Sequence, residues 1–542
     1  MKVRSAIIVF LSVVAANLLV EHLVCRWDMT DDKRYTISAP TKTLLQNLDA
    51  PVEVYVLLDG ELNAGFIRLK LATHDLLDEF SIYAHSGIQI KEMHGYENQL
   101  EPIIIHERTH KGQTAQTKVY PYAVVRYKDK QRLVNLLDNQ RGLRGEENLN
   151  RSIENLEYRL IEAIRSLQQT QVEKVAFLEG HGELDERDVY DLTQQLAQYY
   201  QVDRGSLGQE IGVLDAYSAV IIADPQMPFT DEDKYILDQY IMQGGRVLWV
   251  LNGVQFSSDF LSSQGTTPIV ALDLKLNDML FRYGVRINHS LVQDLQCLLV
   301  PVDVSRNPQQ PNWQPMPWTY APLLLTSQTS PITRNVAQLT ATMASSIDLV
   351  GGEDGIRKDI LLATSSASKL TSVPAEVNLS LGIEEEESFQ YSYIPVAVSL
   401  EGEFASLFAH LSAPEGIVNA RNTIKRSPKT RQIVVASGST IRNEWQKNQA
   451  LPLGYDRYTK TQFGNRDFML NAVLYLTDDE GWMELRQKEI ALRLLNDQRA
   501  RDARVRAQVV SIIVPLAILA LVGSLLLWIR KRRWTANNKT VR

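Results

Sequence analysis

One short stretch holds a histidine among carboxylates: Glu179-Gly180-His181-Gly182-Glu183, with Asp185 close behind. An imidazole beside a carboxylate can move a proton, and with further donors it can hold a metal ion. Gly180 and Gly182 would let a ligand approach the backbone closely. The competing reading is a tight turn whose histidine bonds to its own surroundings and performs no chemistry. One histidine with acidic neighbours is a weak metal signal, so neither a metal nor a cofactor is expected. Covalent catalysis would need an activated nucleophile on a sharp strand-to-helix turn. Neither Cys25 nor Cys297 stands on such a turn, and no Gly-x-Ser-x-Gly elbow occurs. No catalytic residue is therefore nominated, and the chain is not expected to be an enzyme. Gly180, His181, Gly182 and Glu183 are carried forward as ligand-binding candidates.

The elements around them suggest why they would meet. Val172–Leu178 reads as a strand ending at the histidine turn, and Val189–Tyr200 reads as a helix. Strand Ala219–Ala223 then ends at Asp224-Pro225, followed by helix Asp231–Met242, Gly244-Gly245 and strand Arg246–Leu251. Short apolar strands alternating with helices predict a parallel, doubly wound sheet. Ligands on such sheets bind beyond the carboxyl ends of the strands. The histidine turn, Asp224 and Ser437-Gly438-Ser439 after strand Ile433–Ala436 all fall on that edge. Asp224 joins the candidates. Sheets of this kind also occur in flavodoxin-like folds and glutamine amidotransferases, so an amidase-like hydrolase remains the remoter alternative.

Upstream, the order β-α-β-β-β-α over residues 28–170 predicts a thioredoxin-like domain. It lacks any Cys-x-x-Cys, which removes the redox reading. The long helix expected there covers roughly Asn148–Gln168. The α/β domain is expected over 171–480, interrupted at 301–331 by a proline-rich, aromatic extended loop. Trp318 and Tyr320 in that loop are candidates for lining a glycan or peptide groove.

The ends of the chain impose the strongest constraint. Val509–Ile529 carries no charge, the length a helix needs to cross a bilayer. Ser5–Val24 is shorter and interrupted by Glu21 and His22, and it is expected to be an uncleaved anchor within residues 1–27 rather than a signal peptide. Lys2 and Arg4 before the first span, and Arg530-Lys531-Arg532-Arg533 in the tail 530–542, predict both termini in the cytoplasm and the main body outside it. Residues 481–508 predict an amphipathic stalk helix feeding the span at 509–529, with Pro515 inside it. The formal net charge of −7, with basic residues gathered near the membrane, argues against nucleic acid. Two cysteines cannot build a disulfide framework. No P-loop occurs, so the chain is not expected to hydrolyse nucleotide by that route.

Taken in order, several pieces resemble the GldG-like auxiliary subunits of ABC transporters, named for bacterial gliding motility. They are Asp28-Met-Thr-Asp31 with Arg34-Tyr-Thr-Ile-Ser38, Phe177-Leu-Glu-Gly-His-Gly-Glu183, and Gly244-Gly245. Trp318-Thr-Tyr320-Ala-Pro322, Pro331-Ile-Thr333-Arg334-Asn335, Ser346-Ile-Asp348, Asn465-Arg-Asp-Phe-Met-Leu-Asn471 and the terminal span follow. The resemblance implies a bacterial inner-membrane accessory subunit working with a separate permease and ATPase; the two spans and their flanking charges make it two-pass with a periplasmic body. The resemblance carries over no catalytic residue and identifies no substrate. The rival expectation is a stand-alone extracytoplasmic protein that binds glycan or peptide.

Overall fold

A computed structural model describes residues 36–59, 62–94, 100, 102–108, 114–137, 145–168, 172–303, 305, 312–351, 355–379, 386–418, 421–487 and 497–537. The expected first anchor, residues 1–27, lies outside them. The chain divides into two compact units, Met1–Glu489 and Ile490–Arg542.

The first unit is built on two sheets. Helix α1 (Ala39–Gln46) starts where Ser38 Oγ accepts from Thr41 N and Pro40 occupies the first turn, a position that needs no backbone donor. Then come β1 (Val52–Val56), α2 (Ala64–Tyr83, capped by Asn63), β2 (Ile88–Glu92), β3 (Tyr122–Tyr127) and β4 (Lys130–Asn135), followed by α3 (Gly145–Glu154) and α4 (Leu156–Gln168). Strand order is β2-β1-β3-β4, with β1 parallel to β2 and antiparallel to β3. Alternation in β1 sends Val52, Val54 and Val56 into a core with Leu69, Phe80, Val125, Leu160 and Ile164. Two details differ from expectation. The helix expected over Asn148–Gln168 is two helices, separated at Asn155, whose buried amide oxygen accepts from Asn335 Nδ2. A hairpin, Ile103–Arg108 with Thr114–Val119, also precedes β3.

The second sheet runs β9-β10-β11-β12-β13-β8-β7-β5-β6, with Leu339–Thr340 pairing onto β10. Its members are β5 (Lys174–Leu178), β6 (Gln201–Gly205), β7 (Ala219–Ala223), β8 (Val247–Val250), β9 (Cys297–Asp303), β10 (Trp313–Thr326), β11 (Arg357–Ala363), β12 (Pro395–Ala405) and β13 (Arg426–Val435). The block β6-β5-β7-β8-β13 is parallel, and β12, β11, β10 and β9 continue it antiparallel. Every residue of β7 and β8 is buried, as a parallel strand covered on both faces requires. One face packs α5 (Tyr190–Leu196) and α8 (Asn465–Leu476) over Val175, Phe177, Leu248 and Val435. The other packs α6 (Asp231–Met242) and α7 (Asn277–Tyr283) over Val220, Ile222, Trp249 and Val434.

The proline-rich segment is not a loop where it is described: β9 and β10 form an antiparallel ribbon. Pro315 and Pro317 stand two apart, so both missing N–H groups fall on the same side. Pro301 lies directly opposite Pro315, at a pair that exchanges no hydrogen bonds. The expected stalk helix also changes. Trp482–Gln487 forms a 3₁₀ turn after Gly481 (φ +78°), with Trp482 and Leu485 buried in the core of the first sheet. The second unit is described as the helix α9 (Asp497–Asn537), which contains Pro515. Its stretch Gln508–Ile529 is 22 residues long with mean hydropathy 2.7, and it is the one helix among the described residues long and apolar enough to cross a membrane.

Candidate functional site

At the carboxyl end of β5 the chain turns through Gly180 (φ +122°) and Gly182 (φ +72°), conformations that side chains other than glycine's avoid. A Cβ at Gly182 would stand 3.3 Å from the Gln226 Cβ. The turn lies against the loop after β7: His181 O accepts from Gln226 N and Met227 N, both at 2.8 Å. This is the gap between β5 and β7, where the order of strand addition in the parallel block reverses.

The His181 side chain faces inward and is 8% exposed. Its ring stacks on Phe229 with centroids 3.8 Å apart. Nδ1 lies 3.2 Å from Glu183 Oε1, and Nε2 lies 3.1 Å from Asp233 Oδ2. Glu183 also accepts from His181 N at 2.7 Å. Burial works against the charged ring. The hydrogen bonds and charges of Asp233 and Glu183 outweigh it and raise the pKa to about 9. Burial alone would raise the Asp233 carboxyl, but the bonds from His181 and Thr230 hold it below its ordinary value. His181 is thus an imidazolium clamped between two carboxylates. Both nitrogens donate, so neither is available as a metal ligand or as a base for a neighbouring hydroxyl. Glu179 is bonded to Arg204 Nε at 2.6 Å, and Asp185 accepts from Asp188 N at 2.9 Å.

Asp224 is the second centre. It follows β7 with φ +55°, a strained conformation for a residue with a side chain, and it is 5% exposed. Oδ1 accepts from Asn252 Nδ2 at 2.6 Å and from Gln226 Nε2 at 3.0 Å. Asn252 Oδ1 in turn accepts from Gly438 N at 2.9 Å. The ends of β7, β8 and β13 are therefore tied by one relay. Arg442 lies more loosely, 3.7 Å from Asp224 Oδ2 and 3.8 Å from Asp188 Oδ2. Burial raises the Asp224 carboxyl to about 6, although Arg442 and the amide donors oppose it.

The histidine turn and Asp224 are brought together, with Gln226 touching both. Trp318 and Tyr320 are elsewhere. Both are buried with Val254, Ile269, Leu291 and Val377, and their ring centroids stand 6.1 Å apart. They pack a core; the exposed aromatic of that ribbon is Trp313. Asp233, Phe229, Asn252 and Arg442 were not picked out from the sequence. The signal for Asp233 was present: Thr230-Asp231-Glu232-Asp233 before an apolar run is a capping box, and Asp233 closes it while holding His181. Among the described residues no group of three or more His, Cys, Asp or Glu could hold a metal ion.

The architecture defines a class: a mixed α/β body whose strand edge is cross-linked by its own polar groups, in a chain that also carries a long apolar helix stretch, Gln508–Ile529. The chain belongs to the ABC_transp_aux family, described as an ABC-type uncharacterized transport system, whose model matches residues 173–472. Residues 31–126 match a domain of unknown function (DUF7088). Among solved structures the chain is similar to the mmIFT52 N-terminal domain, with 15% identity, a TM-score of 0.32, and coverage of 57% of this chain and 99% of that one. No curated protein matches the sequence.

Proposed function

We propose that this protein is a membrane-anchored accessory subunit of an ABC transport system, working with a separate permease and ATPase. Its large extracytoplasmic body binds a substrate or partner. The observation that carries the reading is one chain that joins the transport-system match over 173–472 to the uncharged helix Gln508–Ile529. Such a helix is long enough to span the hydrocarbon core. The basic run Arg530–Arg533 beyond it supports a cytoplasmic C-terminus and a body on the far side of a bacterial inner membrane.

A second anchor at residues 5–24 would require both ends of the body to leave from one side. Ala39 and Pro40, near its first described residue, and Trp482, near its last, line one cleft, which favours that arrangement. The order β2-β1-β3-β4 with an antiparallel terminal hairpin supports a thioredoxin-like first domain. The parallel block reads 2-1-3-4-5 in chain order, which supports a flavodoxin-like, doubly wound second domain. Action by binding rather than catalysis is favoured by the clamped imidazolium. The gliding-motility subtype rests on the motif resemblance. An independent glycan or peptide binder is less favoured, since Trp318 and Tyr320 are buried.

Purification of the tagged full chain from its native membrane in mild detergent tests this reading. An ATPase and a multi-span permease are expected in constant ratio with it. Recovery of the chain without either rejects the assignment.

A further inference from the structure

A cleft of about 1010 Å³ opens between α1, the end of α4 and residues 477–482. It lies within the first unit, away from the strand edge described above. Its walls mix an apolar side (Ala39, Pro40, Leu44, Trp482) with charged groups that differ in how they are satisfied. Asp479 is paired with Arg246, and Glu480 accepts from the Trp482 indole. Arg165 and Glu173 are not so matched. The Arg165 guanidinium feels the charge of Glu162 one turn earlier in α4 but makes no hydrogen bond or ion pair among the described residues, and its Nε is buried without a hydrogen-bond partner. Glu173 likewise has no ion pair or side-chain hydrogen bond there, although its carbonyl accepts from Gln201 N at 2.9 Å. The C-terminal turn of α4 favours a cation at Arg165, but this leaves its donors unmet, and unmet buried donors are costly.

We propose that this cleft binds a zwitterion: a ligand with a cationic amine and an anionic phosphate or carboxylate. The anionic group meets the Arg165 guanidinium, the charge-assisted geometry for which arginine is suited. The ammonium meets Glu173, with Glu480 next to it, and the ligand's carbon chain lies along Trp482 and Leu44. Two sources supply this chemistry: the phosphoethanolamine headgroup of a bilayer lipid and a short free peptide. The proposal does not depend on the accessory-subunit reading.

The test is calorimetric titration of the full chain in phospholipid-free detergent. O-phosphoethanolamine and tri-alanine are the zwitterions; ethanolamine, inorganic phosphate, N-acetyl-tri-alanine and tri-alanine amide carry one of the two charges. At least one zwitterion is expected to bind at least ten-fold more tightly than its single-charge analogues. Preference for phosphoethanolamine assigns a lipid headgroup, and preference for tri-alanine assigns a peptide. Arg165→Gln and Glu173→Gln should each weaken binding at least ten-fold, with Arg165→Lys recovering part of the loss. No binding of either zwitterion, equal binding of single-charge analogues, or binding unchanged in both variants overturns the proposal. The analogue series needs no variant, so it decides even where a substitution disturbs folding. Binding observed in a chain that copurifies with no ATPase would reject the transport assignment and leave the cleft's ligand class standing.

Discussion

The strand edge around His181 and Asp224 and the cleft around Arg165 and Glu173 are both polar, yet they are built on opposite terms. At the edge the titrating groups find partners within the protein: His181 with Glu183 and Asp233, Asp224 with Asn252 and Gln226. In the cleft Arg165 and Glu173 lack such partners among the described residues. Groups that satisfy one another hold a fold in register, whereas unmatched groups remain available to something arriving from outside. Proximity of titratable residues in sequence therefore drew attention to the edge, while residual hydrogen-bonding capacity draws it to the cleft.

Substitutions can break or sharpen this contrast. The largest effects are expected at Gly438 and Trp318; at Gly438 a Cβ would fall 2.1 Å from Asp224 Cγ. Gly438→Ala should cost about 3 kcal/mol or more in chemical denaturation. Adding Asp224→Gly should restore much of it, and failure to do so would show that the clash is not the cause. Trp318→Ala should cost roughly 3–5 kcal/mol as a cavity in a packed core; a loss under about 1 kcal/mol would return Trp318 to the list of surface groups.

His181→Ala leaves Glu183 and Asp233 without their shared cation and should cost about 2–3 kcal/mol near neutral pH. The folded pKa of about 9 stands above the ordinary 6.5. The stabilisation from protonated His181 is thus complete below about pH 6.5 and disappears as pH rises through about 9. Wild-type stability should slope downward across that window, and the variant should lose the slope. Asp224 acts in a lower range. Its carboxyl is raised from 3.8 to about 6, so its favourable contribution is full below about pH 4 and is lost as pH climbs past 6. Asp224→Asn should be about 1 kcal/mol more stable than wild type at pH 8 and no more stable at pH 4; equal differences at both pH values would refute the cause. The smallest effect belongs to the cleft, where Arg165→Gln and Glu173→Gln should each change stability by less than about 0.5 kcal/mol. A larger loss would mean that these groups are structural after all.

Much of the fold was legible because apolar patterning states which residues must be buried. The runs that became β5, β7 and β8 were short, apolar and bounded by turn residues, and the histidine turn and Asp224 were both expected at the carboxyl edge of that sheet, though not in contact. The orientation of His181 was not legible. Nothing in Gly-His-Gly says that the ring turns inward, since that is decided by Phe229 and Asp233 some fifty residues later. The ribbon β9–β10 was hidden because prolines read as loop, and only pairing shows that their missing donors point away from the partner strand. Residues 482–487 were misread for a related reason. A charged amphipathic pattern fits a helix, but Trp482 and Leu485 are claimed by a core whose other members lie more than three hundred positions earlier.

That last contact has a consequence for biogenesis. A ribosome makes the earlier sheet first, yet the final hydrophobic plug of its interior is among the last parts of the body to be synthesised. The nascent intermediate must wait with that interior open until Trp482 and Leu485 have been made.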